Sequence, residues 1–165
     1  MKILHCSYSA YPAPPGGTEI YVAALCRALR LHGVESVVAA PAVRDESLFV
    51  EDVRIRKYAI SQSPDLENLY GAPDPHASAR FVKILDEEQP DVLHQHALTP
   101  ACSSDLSRYA KARGIPVVFT FHTPTVTCQR GTLMEWGTLN NVTVAGIRAA
   151  LEYLKRIGEY SRLNL

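Results

Sequence analysis

The sequence predicts a doubly wound α/β domain, with a mainly parallel sheet and helices on both faces. Three observations predict it. Short apolar runs of strand length alternate with longer stretches of helical periodicity. Glycine, proline and serine punctuate the junctions. The polar clusters with ligand chemistry fall just after the strands, where an open α/β sheet binds its ligands.

Residues 2–7 carry Ile3 and Leu4 and lead into a Ser/Tyr/Pro/Gly-rich loop; residues 18–31 then set Tyr21, Ala24 or Leu25, Ala28 and Leu31 at helical spacing. Gly33 stands where a helix stop belongs. Residues 34–40, centred on Val37 and Val38, complete a βαβ unit, and Pro41 is expected to end that strand. Val53 and Ile55 alternate with Arg54 and Arg56 as on a half-exposed strand, and residues 61–75, rich in Ser, Pro, Asp and Gly, read as a loop. Phe81, Ile84 and Leu85 stripe a helix over 77–88, and Pro90-Asp91 breaks it before the strand Val92-Leu93-His94. Ser103 or Ser104 can cap a helix running to Arg113, with Gly114 as its stop, and residues 116–121 read as a buried strand ending at His122. At the C-terminus, Val144, Ile147, Leu151, Leu154 and Ile157 share one face of an amphipathic helix.

The 165 residues fit one domain, and 47% hydrophobic content supports an ordinary core. Lys plus Arg equal Asp plus Glu at 17 each, so no positive field points to nucleic acid. No window approaches the roughly 20 apolar residues of a membrane span. The start turns polar too soon for a secretory signal, so a cytoplasmic location is expected. Cys6, Cys26, Cys102 and Cys128 form no Cys-x-x-Cys pair and are read as reduced thiols, with neither a disulfide framework nor a zinc site.

Four polar features follow the strands: Pro14-Pro15-Gly16-Gly17-Thr18-Glu19, His94-Gln95-His96, His122-Thr123 and Cys128-Gln129-Arg130-Gly131. The glycines can adopt backbone angles closed to other residues, and they let a phosphate approach N–H groups at the positive end of the next helix. The turn is neither a Walker A loop nor a Gly-x-Gly-x-x-Gly fingerprint, and a tight turn with no ligand is the competing reading. Glu19 falls in the helix's first turn, where capping competes with function. His94 and His96 are two apart and share a strand face as metal ligands might, but no third ligand is evident and no metal or other cofactor is expected. The pair is read as one interior imidazole, with His96 at the cleft. His122 is either a core histidine or, beside Thr123, a donor to a sugar hydroxyl or phosphate oxygen; Arg130 can pair with an anionic acceptor. No Ser-His-Asp or Cys-His arrangement is indicated.

The strand ending Ser7-Tyr8, the Gly16-Gly17 turn, the helix ending Leu31-His32-Gly33, the run from Pro90 to His96 and Phe119-Thr120-Phe121-His122-Thr123 occur in an order that resembles glycosyltransferase family 4, of GT-B fold. The match runs from Met1 to about Gly137. It implies that residues 1–137 are the Rossmann-like N-terminal, acceptor-side domain of a retaining transferase. The donor would be a nucleotide-diphosphate sugar and no metal would be used. Residues 138–165 would be a tail whose helix packs on that domain. Carried over, Gly16 and Gly17 bring N–H groups to the leaving diphosphate, and His122 contacts the transferred sugar or acceptor as the catalytic residue. Thr123 and Arg130 bind the acceptor, and His96 lies in the same sugar cleft. The family's donor-binding half, with its basic pair and Glu-x7-Glu segment, is not in this sequence. The chain alone is therefore expected not to turn over, and to work with a separate donor-binding domain or as a self-dimer. The alternatives are a non-enzymatic phosphate- or nucleotide-binding module and an inactive truncated fragment.

Overall fold

The computed structural model describes residues 1–10, 16–61, 72–122, 134–135 and 138–139. The chain divides into two compact units, Met1–His122 and Thr123–Leu165. In the first, the elements run β1 (Lys2–Cys6), α1 (Gly17–Leu31), β2 (Glu35–Ala42), β3 (Glu46–Val50), β4 (Val53–Ala59), α2 (Pro75–Glu88), β5 (Val92–Gln95), α3 (Ser104–Ala112) and β6 (Val117–Phe119). In the second, β7 (Met134–Glu135) pairs antiparallel with β8 (Thr138–Leu139). The expected helix over 144–157 lies outside the described residues, as do residues 62–71 of the loop over 61–75.

The six strands of the first unit form one sheet in the order β3-β4-β2-β1-β5-β6, parallel except at the β3 edge. The alternation of side chains along each strand divides the core into two layers. Leu4, Cys6, Val37, Ala39 and Leu93 face α2 and α3, packing with Phe81, Ile84, Leu85, Leu106 and Ala110. Val38, Ala40 and Ile55 face the other way and pack with Val22 and Cys26 of α1. Helices thus cover both faces. In the first layer the Tyr58 hydroxyl donates to Ala101 O at 3.0 Å and lies 3.3 Å from Cys102 Sγ and 3.9 Å from Cys6 Sγ, holding two buried thiols.

The helix ends follow local chemistry. Asp74 caps α2, accepting from the N–H groups of His76 and Ala77, with Pro75 at the first helical position, where its missing N–H costs nothing. Ser103 caps α3 through Asp105 N–H. Gly33 and Gly114, with φ of +71° and +73°, supply the left-handed residues after α1 and α3.

Three sequence expectations change. Pro41 does not end β2, which continues to Ala42 and pairs Pro41 with Tyr58 of β4. Ala39 O accepts from Ser7 N–H on the β1 side, so by alternation the Pro41 nitrogen also faces that side, beyond the end of β1 where no donor is needed. Strand β3 is additional: it forms a hairpin with β4 through Glu51 and Asp52, both left-handed at φ 49° and 66°, as a type I′ turn requires. Strand β6 is not buried; among the described residues it is a sheet edge, with Val118 exposed, as is Phe121 just beyond it.

At the amino end of the strands, Glu88 is buried and fully engaged. Its Oε1 accepts from Arg56 Nη1 at 2.6 Å and Arg54 Nη1 at 3.3 Å, and Lys2 Nζ stands 3.6 Å from its Oε2. Burial opposes the charge, but Arg56 and Arg54 outweigh it and hold the carboxyl below its usual value.

Candidate functional site

At the carboxyl end of β1 the chain turns into α1 through Gly16, the N-cap residue, which is extended at φ −87° and ψ 174°. Neither Gly16 nor Gly17 has a positive φ, so the reason for glycine here is space and not backbone angle. A Cβ on Gly16 would stand 2.6 Å from Glu19 Oε2 and 3.3 Å from the Tyr8 hydroxyl, whereas one on Gly17 would meet nothing within 4 Å among the described residues. Gly16 makes room for a buried carboxylate, and Gly17 leaves bare backbone facing open space. The first helical bond is Ile20 N–H to Gly16 O at 3.2 Å, so the N–H groups of Gly17, Thr18 and Glu19 precede the intrahelical ladder.

Glu19 sits at the third helical position, from which a carboxylate can reach back to the N-cap N–H. It does not cap: its side chain is buried, and neither oxygen has a hydrogen-bond partner among the described residues. Burial, then the Glu19 charge, then the pull of the Glu19 carboxylate on the hydroxyl proton raise the pKa of the neighbouring Tyr8.

On the same face of the sheet as α1, pairing register aligns Ile55, Val38, His5, His94 and Val118 in one transverse row. The row is apolar beneath α1 and becomes imidazole at β1 and β5. His96, just beyond β5, is held by its N–H bond to Cys6 O at 2.8 Å. His5 Nδ1 lies 3.1 Å from His96 Nε2, and His96 Nδ1 lies 3.1 Å from His122 Nε2. His94 Nε2 lies 2.7 Å from Thr120 Oγ1, and Tyr21 of α1 stands edge-on to His122 with ring centroids 4.9 Å apart. His5 and His96 are buried, while His94 and His122 are half-buried, so His122 is the outer member of a three-imidazole chain.

Burial lowers the pKa of all four histidines. It brings His5 to about 3, helped by the charge of His94, and His96 to about 2, helped by His94, His5 and His122. His94 is lowered by burial and then by His122; for His122 burial is partly opposed by Glu19. The chain is therefore neutral, and its N–H groups must point one way. His5 Nε2 is buried without a partner among the described residues. Running the donors outward from His5 leaves only a lone pair there, whereas the reverse would orphan an N–H, the costlier defect. On this assignment His5 Nδ1–H donates to His96 Nε2, His96 Nδ1–H donates to His122 Nε2, and His122 offers Nδ1–H outward.

Gly16, Gly17, His96 and His122 thus belong to one region at the carboxyl ends of β1, β5 and β6, whereas Thr123 and Arg130 lie outside the described residues. His5, absent from the sequence candidates, is central to the cluster. One nitrogen from each of His5, His94 and His96 lies within 4.8 Å of the other two, a spacing that can hold a cation. No helix among the described residues is long and apolar enough to cross a membrane.

Among solved structures, the chain is similar to the catalytic domain of starch synthase IV from Arabidopsis thaliana, solved bound to ADP and acarbose. Identity is 18% and the TM-score 0.52, over 73% of this chain and 34% of that one. The likeness shows the fold: a Rossmann-like half of a GT-B arrangement, spanning about a third of that chain's length. No curated protein matches. The family model for Glycosyltransferase Family 4 matches residues 15–157, past the ordered motifs that end near Gly137. On that match over most of its length, the chain belongs to glycosyltransferase family 4.

Proposed function

We propose that this chain supplies the acceptor-side half of a retaining glycosyltransferase that uses a nucleotide-diphosphate sugar, and that turnover requires a donor-binding domain in addition to it. The observation that carries the reading is the bare backbone at Gly17. Three N–H groups outside the helical ladder lie at the positive end of α1, beside open space and in the same region as His122. Oriented donors of this kind stabilise negative charge as it develops on a leaving diphosphate, and they need no reorganisation to do so. His122, with Nδ1–H directed outward, donates to a hydroxyl of the transferred sugar or of the acceptor and orients it. Thr123 and Arg130 take the acceptor roles that family resemblance gives them, and His96 supports the cleft from behind His122.

Calorimetry with UDP, GDP and ADP, with and without sugar phosphates, tests the division of labour. The chain alone is expected to bind the diphosphates weakly, and Gly17→Val to weaken that binding at least tenfold without loss of fold. Sugar transfer is expected only when a family 4 donor domain is added. Tight nucleotide binding by the chain alone would make it a binding module instead. Absence of diphosphate and sugar binding, together with no transfer in any combination, would overturn the reading.

A further inference from the structure

We propose that His5, His94 and His96 form a binding site for one divalent transition-metal ion of borderline softness, with zinc the best fit. One nitrogen from each ring lies within 4.8 Å of the others, and His5 Nδ1 and His96 Nε2 already stand 3.1 Å apart. Zinc–imidazole bonds of about 2.0–2.1 Å put tetrahedral ligand nitrogens roughly 3.3 Å apart. The close pair is near that spacing, and the rest need close by only ~1.5 Å or less, which small rotations of the rings supply. A set made only of imidazoles selects zinc, copper or nickel over magnesium and calcium, which take oxygen ligands.

Three further observations support the site. Packing does not call for histidine here: the same transverse row is filled by Val38 and Ile55 on the adjoining strands. Two buried imidazoles and a half-buried one, with no acid among them, are costly by comparison. Second, backbone register sets the rings together, with His5 opposite His94 across β1 and β5 and His96 tied to Cys6 O, so that ligation through His5 Nδ1 asks only that this ring's proton move to Nε2. Third, the outer supports that orient metal-binding imidazoles are in place, with Thr120 Oγ1 on His94 and His122 on His96. An ion here would also lock His96, and through it the ring of His122.

The test uses the whole chain, stripped with a chelator and titrated with Co²⁺ and then Zn²⁺; it involves no sugar or nucleotide, so its outcome is separate from that of the transferase reading. One equivalent of Co²⁺ is expected to give the visible absorption of a four-coordinate nitrogen site, and Zn²⁺ to displace it and raise Tm. His94→Gln, at a half-buried position, should weaken Co²⁺ binding at least tenfold with an unchanged circular dichroism spectrum. Thr120→Val, which removes only the outer support, should weaken it by about tenfold and serves should His94→Gln fail to fold. The double variant His32→Ala/His76→Ala should bind as the parent does. No absorption at one equivalent, binding that survives His94→Gln or, if that variant does not fold, Thr120→Val, loss of binding in the double variant, or a thiolate charge-transfer band would each overturn the proposal.

Discussion

The two ends of the sheet treat a buried glutamate in opposite ways. At the amino end, Glu88 is matched by Arg54, Arg56 and Lys2. At the carboxyl end, Glu19 is just as deeply buried, yet neither of its oxygens has a partner among the described residues, and the same end holds four histidines of lowered pKa. The first end spends its polar groups on holding the fold together. The second keeps donors, lone pairs and a carboxylate in reserve at the edge where α/β sheets bind ligands.

Replacing each glutamate separates the two. Glu88→Ala removes the shared acceptor of Arg54, Arg56 and Lys2, of which Arg56 keeps Glu87 and Lys2 keeps Glu35, and should cost about 2 to 3 kcal/mol in chemical denaturation. A loss below about 1 kcal/mol would mean that the amino end is no scaffold.

Acid should unmake the carboxyl end first. His5 and His96 stay neutral in the fold, whereas the unfolded chain takes up protons as pH falls below the ordinary value of 6.5. Their contribution is therefore complete above that value. It is lost as pH falls toward the folded values of about 3 and 2. Each ring costs up to ~1.4 kcal/mol per pH unit, so about 2 to 3 kcal/mol should be gone by roughly pH 5.5 in chelator-treated protein. The Glu88 network works in a different window: its carboxyl is lowered, so it loses stability only as pH falls below the ordinary 4.5. Denaturation midpoints that hold level from pH 7 to 5 would show that the histidines are not buried neutral.

Smaller effects come from the turn. Glu19→Gln removes an unmatched buried charge and should stabilise the protein by about 1 kcal/mol, opposite in sign to Glu88→Ala, while strengthening diphosphate binding severalfold. Gly17→Ala has room for its Cβ and should change stability by less than about 0.5 kcal/mol, in the stabilising direction. Gly16→Ala meets Glu19 and should destabilise instead. Equal effects at the two glycines would erase the distinction drawn between them.

Much of the architecture was legible because local chemistry punctuates it. Gly33, Ser103 and Gly114 sit where caps and stops belong, and the apolar stripes of α1 and α2 mark the helices themselves. Strand β3 was hidden because its turn uses Glu51 and Asp52 in left-handed conformation, without the glycine or asparagine that usually marks one. Pro41 misled because its cost depends on which side of β2 is paired, a fact of tertiary structure. In the site, His94 and His96 announced themselves by spacing. His5, 91 residues before His96, looked like one polar residue in an apolar strand until the β1–β5 register set it opposite His94. Glycine spacing suggested a ligand turn, but only the surroundings divide it into one residue for the protein and one for open space.

The tyrosine-held thiols of the α2/α3 layer have a kinetic consequence. Cys6 and Cys102 are sealed on that face, and Cys26 is sealed under α1 on the other. A sulfhydryl reagent in excess reaches each of them only when its own layer opens, so the labelling rates act as two clocks. Equal rates would mean that both helical layers leave the sheet in one event. A faster Cys26 would mean that α1, which carries the glycine turn, detaches while the scaffold behind it stays closed.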